Sequence, residues 1–65
     1  MTRDDVIALL RTACDEAGSI RQWCLKHKVS QVYALYVLRG ERNPGPMILN
    51  VLGLEREEAT YRRKQ

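Results

Sequence analysis

The feature that most constrains this chain is its punctuation. Residues that stop or start helices recur so closely that no long regular segment fits between them: Gly18-Ser19, Lys28-Val29-Ser30, Gly40, and the run Arg42-Asn43-Pro44-Gly45-Pro46. Thr2 is a good N-cap, with Asp4 and Asp5 in the first turn facing the positive end of the helix dipole. From there Val6, Leu9, Leu10 and Ala13 recur at helical spacing, with Ile7 and Ala17 beside them. Gly18 suits the left-handed residue that closes a helix, and Ser19 can cap the next one, residues 20–27. Ser30 caps a third helix over residues 31–39, which Gly40 ends. Pro46 opens a fourth carrying Met47, Ile48, Val51 and Leu52, with Leu54 in the turn after it. Helices this short do not persist alone, so each must be held by its neighbours.

With 65 residues the chain is one domain with a small core. Cys14 and Cys24 match no metal-binding pair, and His27 lacks partners at ligand spacing; two buried, reduced thiols and no metal or cofactor are expected. No apolar run approaches the ~20 residues of a membrane span, and none resembles a signal peptide. The expected location is therefore cytoplasmic. Charge is uneven. Residues 1–18 carry Arg3 and Arg11 against Asp4, Asp5, Asp15 and Glu16, a net of −2. Residues 19–46 carry Arg21, Lys26, Lys28, Arg39 and Arg42 against Glu41, a net of +4, and the remainder adds +1 to reach +3. A basic middle third points toward a polyanion. His27 reads as a core-edge histidine, and Glu55, Glu57 and Glu58 as a solvated face. No nucleophile or acid–base pair is arranged for catalysis, and neither an enzyme nor a small-molecule ligand is expected.

The third helix is apolar on too many sides. Ala34, Val37 and Leu38 share an inward face with Tyr33 at its border. At about 100° per residue, Val32, Tyr36 and Arg39 point the other way, with Leu35 beside them and Gln31 in the exposed first turn. Two short helices joined by a tight turn, the second rich in outward side chains, describe a helix-turn-helix, which lays its second helix in the DNA major groove. On that reading Gln31 hydrogen-bonds a base edge, Val32 meets a thymine methyl, and Tyr36, Leu35 and Arg39 reach bases, sugar or phosphate.

The run SIRQWCLKHKVSQVYALYVLRGER resembles the helix-turn-helix of phage repressor and Cro-like (XRE-family) proteins. Trp23 and Cys24 stand where that family packs its first helix, Val29-Ser30 at the turn, and Val37-Leu38-Arg39-Gly40 at the end of the recognition helix. The following PGPMILNVLGLE is similar to the last core helix of small phage and prophage members, so the resemblance spans about residues 3–56. There are departures. Lys28 stands where glycine is usual and Ile20 where many members have Gln. Ala34 is smaller and Cys24 larger than the common residues, a compensating pair.

The resemblance implies an all-α, compact four-helix lambda-repressor-like domain over residues 1–57, with residues 58–65 a basic tail or a dimerisation strand. It implies phosphate contacts from Arg21, Lys28, Ser30, Arg42 and Asn43. It further implies a homodimer on double-stranded, palindromic operator DNA, acting as a Cro-like repressor or as the autorepressor of an anti-CRISPR or toxin–antitoxin operon. Leu52, Leu54, Thr60 and Tyr61 are the expected dimer contacts, with ATYR pairing across the twofold axis as a short ribbon. A rival reading makes the apolar outer face of the third helix a docking surface for another protein.

Overall fold

The computed structural model describes residues 1–58 and 60–64. In chain order it contains α1 (Arg3–Glu16), α2 (Ile20–His27), α3 (Gln31–Leu38), α4 (Pro46–Leu52), β1 (Leu54–Glu57) and β2 (Thr60–Arg63). The caps act as their residue types dictate. Thr2 and Asp5 form a reciprocal box: Thr2 N–H donates to the Asp5 carboxylate at 2.9 Å, and Asp5 N–H donates to the Thr2 hydroxyl at 3.3 Å. The bond from Thr2 N–H, helped by hydrogen bonding from the Thr2 side chain, holds the Asp5 carboxyl below its ordinary value. Ser19 accepts from Gln22 N–H at 3.0 Å and Ser30 from Tyr33 N–H at 3.4 Å, starting α2 and α3.

The apolar residues fall into two clusters that share α1 and α4. One gathers Leu10, Cys14, Trp23, Cys24, Val29, Ala34, Val37 and Ile48; the other gathers Val6, Leu49, Leu54 and Tyr61. The neighbours Ile48 and Leu49 thus serve different clusters, and half-buried Leu52 packs against both. Cys14 and Cys24 are free and buried, and burial pushes both thiols up from their ordinary value. Their labelling by a disulfide reagent in native buffer is expected to be slower than in denaturant by about 10²-fold or more, because access requires opening a fold worth ~3–5 kcal/mol.

The chain end carries the short C-terminal strand that the sequence allowed for and a second strand before it. β1 and β2 form an antiparallel hairpin in the register Leu54↔Arg63, Glu55↔Arg62, Arg56↔Tyr61, Glu57↔Thr60. With side chains alternating between faces, Leu54 and Tyr61 turn inward, while Glu55 and Glu57 share the outer face with Arg62. Arg62 Nε lies 2.6 Å from the Glu55 carboxylate and 3.5 Å from that of Glu57, exposed pairs that contribute little stability. The outer edge of β2 is met by the chain start: the Met1 ammonium donates to Tyr61 O at 2.7 Å, and Tyr61 N–H donates to Met1 O at 2.8 Å.

The hairpin lies on both sides of the expected boundary after residue 57, and Tyr61 shares a core with Val6, Leu49 and Leu54. The ribbon expected across a dimer axis is instead paired within the chain. Leu54 and Tyr61, 0% and 5% exposed, have no apolar surface to offer a second subunit. Leu52 is half-buried, and Thr60 is exposed with its hydroxyl donating to Glu57 O at 3.0 Å.

Candidate nucleic-acid interface

The connection between α2 and α3 is tight and its geometry is fixed. Lys28 sits in the left-handed region at φ 57°, as the glycine-like position demands, and Val29 N–H donates back to Cys24 O at 2.9 Å. Val29 is buried among the side chains of both helices, and Ser30 starts α3 at once. A non-glycine residue in that conformation costs about 1–2 kcal/mol, against a glycine entropy cost of about 0.5–1 kcal/mol. Lys28→Gly is therefore expected to raise stability by up to about 1 kcal/mol and, if this face binds DNA, to weaken that binding through loss of the cation. Thermal unfolding and a DNA titration on the same sample check both halves.

The outward face of α3 is where the periodicity placed it. Val32 is 61% exposed and Tyr36 40%, and Gln31 and Arg39 are also exposed; Leu35 is half-buried. Ala34 and Val37 are fully buried beneath them. The far end closes on Gly40 at φ 79°, where Gly40 N–H donates to Val37 O and Glu41 N–H to Tyr36 O at 2.9 Å. This six-to-one and five-to-two pairing needs a left-handed residue, which glycine adopts without strain. Beyond it the Arg42 guanidinium carbon lies 5.9 Å from the Tyr36 ring centre, a cation–π contact.

The candidate phosphate contacts Arg21, Lys28, Ser30, Arg42 and Asn43 are all exposed. Arg21 stands in the first turn of α2, Lys28 and Ser30 before α3, and Arg42 and Asn43 after it. The Ser30 hydroxyl is already engaged as a cap, which leaves it a lesser role toward a ligand.

Three residues that the sequence did not mark as contacts complete this region. Tyr33 donates its hydroxyl to Asn43 O at 3.0 Å and so ties the loop after α3 back onto the helix. Gly45 permits that approach, since a Cβ there would lie 2.5 Å from the Tyr33 hydroxyl. Arg3, at the start of α1, brings its guanidinium to the exit of α3, 3.8 Å from where a Gly40 Cβ would stand. Its location within an acidic stretch of sequence hid it; only packing reveals its neighbours. Tyr33→Phe is expected to cost about 0.5–1.5 kcal/mol by denaturant unfolding. Gly45→Ala is expected to cost more, about 1–3 kcal/mol, because the hydroxyl must be displaced as well as unbonded.

Away from this face, a cleft of about 330 Å³ is lined by Ala13, Glu16, Ala17, Trp23, Lys26, His27, Val51 and Leu52. The His27 and Trp23 rings lie 5.1 Å apart there, tilted by 53°. A second groove of about 380 Å³ runs between the 43–46 loop and β1. Among the described residues no His, Cys, Asp and Glu cluster could hold a metal, and no helix is long and apolar enough to cross a membrane. The chain matches no family model, no curated protein and no solved structure.

Proposed function

We propose that this chain is a sequence-specific DNA-binding regulator of the helix-turn-helix, lambda-repressor-like type. It lays α3 in the major groove and binds a palindromic operator as a homodimer in the cytoplasm. One observation carries the reading: α3 exposes Gln31, Val32, Tyr36 and Arg39 along one side while its other side, Ala34 and Val37, is locked into the core. A small domain that leaves Val32 61% exposed beside a cation-stacked tyrosine has a surface suited to burial against a partner. The exposed cations at both ends, Arg21 and Lys28 before α3 and Arg42 after it, favour a duplex as that partner.

In this reading Gln31, Val32, Leu35, Tyr36 and Arg39 meet bases or sugar. Arg21, Lys28, Arg42, Asn43 and, more weakly, Ser30 meet phosphate. Two α3 helices about one helical turn apart, ~34 Å, read the two half-sites. Occupying a promoter represses transcription by exclusion, as in the phage and prophage Cro-like repressors that the sequence resembles. The rival reading, a protein-docking face on the same helix, draws on the same exposure of Val32 and Tyr36.

Selection of bound duplexes from a random pool tests the proposal. A palindromic consensus with fixed half-site spacing is the expected result. Recovery of no sequence preference, or of no DNA at all, overturns it.

A further inference from the structure

We infer that the open edge of β1 docks an extended, basic segment of a partner protein, added as a further strand along the groove beside the 43–46 loop. This stands apart from α3 and whatever α3 binds. The ladder shows which backbone groups the edge offers. Lys64 N–H donates to Gly53 O at 2.9 Å, one pair before Leu54↔Arg63. In an antiparallel ladder, hydrogen-bonded and non-bonded pairs alternate. Gly53, Glu55 and Glu57 therefore turn their backbone groups toward β2, and Leu54 and Arg56 turn theirs away. Tyr61, the partner of Arg56, obeys the same rule: its N–H and C=O point off the far edge, where Met1 takes both. The chain thus closes the β2 edge itself. On the β1 edge, the backbone of exposed Arg56 has no hydrogen-bond partner among the described residues.

The groove of about 380 Å³ gives that edge a seat, with Pro44, Pro46 and Leu49 across from Glu55 and Arg56. A strand laid against Arg56 alternates its side chains between the two faces of the sheet. Those level with Arg56 lie on the face that carries Leu54 and Tyr61, beside Leu49, and suit aliphatic residues. Those level with Glu55 and Glu57 meet two carboxylates that share one cation, Arg62, and suit lysine or arginine. Main-chain hydrogen bonds then supply affinity and the alternating side chains specificity. A second copy of the chain fits the edge badly. Antiparallel pairing of two β1 strands about a twofold axis keeps like faces together. In either register that overlaps most of the strand, Glu55 then opposes its own copy or that of Glu57, a repulsive pair.

The test titrates the full chain with a capped eight-residue peptide of alternating valine and lysine, followed by amide NMR. Saturable binding is expected, with hydrogen exchange at the Arg56 amide slowed about tenfold or more. Arg56→Pro removes the edge N–H at a place where a sheet tolerates proline, and should weaken binding about tenfold or more. Arg56→Ala keeps the N–H and should bind as the parent does. Circular dichroism checks that both variants stay folded, and the exchange measurement on the parent does not depend on either. The same peptide with glutamate in place of lysine should bind about tenfold or more weakly. No binding, or binding that leaves Arg56 exchange unchanged or survives Arg56→Pro, overturns the inference. Equal binding of the glutamate peptide overturns the basic partner. A homodimer seen by sedimentation and abolished by Arg56→Pro gives the edge to a second copy and overturns it too.

Discussion

Raising monovalent salt from about 50 to about 200 mM is expected to weaken the complex with the selected duplex by about 10³-fold or more, the loss that neutralising roughly six or more phosphates entails. The chain brings Arg21, Lys28, Arg39 and Arg42 around α3, with Arg3 beside Gly40, so the proposed dimer would have enough cations to reach that number. The logarithm of affinity should fall linearly with the logarithm of salt. Arg42→Ala should weaken every sequence alike and flatten the slope by about one per subunit. Gln31→Ala and Tyr36→Ala should leave the slope unchanged while relaxing discrimination at their base positions by about 1–3 kcal/mol. A partner protein docked on Val32 and Tyr36 predicts the opposite pattern: little salt dependence, and full loss on Tyr36→Ala. Fluorescence anisotropy over a salt series separates the two readings.

Tyr61→Ala is expected to leave the chain largely unfolded at 25 °C. Truncating a buried aromatic residue costs about 3–5 kcal/mol, which is about all the stability a domain this small commonly holds. Tyr61 is 5% exposed and joins the hairpin to Val6 of α1 and Leu49 of α4. Circular dichroism should show loss of helix as well as strand, because the hairpin packs on α1 and α4, whose other sides form the core that holds α2 and α3. Tyr61→Phe keeps the ring and should remain folded. Had Tyr61 served only a dimer contact, the alanine variant would instead be a folded monomer, a result that sedimentation would reveal.

The helical part of the chain was readable because its signals are local. Thr2, Ser19 and Ser30 cap helices through their own side chains, and Gly40 and Pro46 close and open them through backbone constraints present in any context. The outward placement of Val32 and Tyr36 follows from helical phase once Ala34 and Val37 are taken as core. β1 was not readable in the same way. Leu54-Glu55-Arg56-Glu57 holds one apolar residue among three charges, a weak strand former by propensity. It becomes a strand because Leu54 fills space between Val6 and Tyr61 and because β2 lies alongside to take its hydrogen bonds. The pairing of β2 with β1 within the chain is hidden for the same reason: apolar residues near a chain end do not reveal whether their partner lies in the same molecule.

The sequence by itself determined where the helices begin and end, which face of α3 is turned outward, and that the middle third is basic. These depend on caps, helical phase and charge, each acting over a few residues. Only the tertiary structure decided that Leu54 and Tyr61 belong to the interior, that Tyr33 fastens the loop carrying Arg42 and Asn43, and that Arg3 stands at the exit of α3. Those juxtapositions join residues far apart along the chain, and they are set by which packing of short helices and one hairpin buries the most apolar surface, a property of the whole molecule.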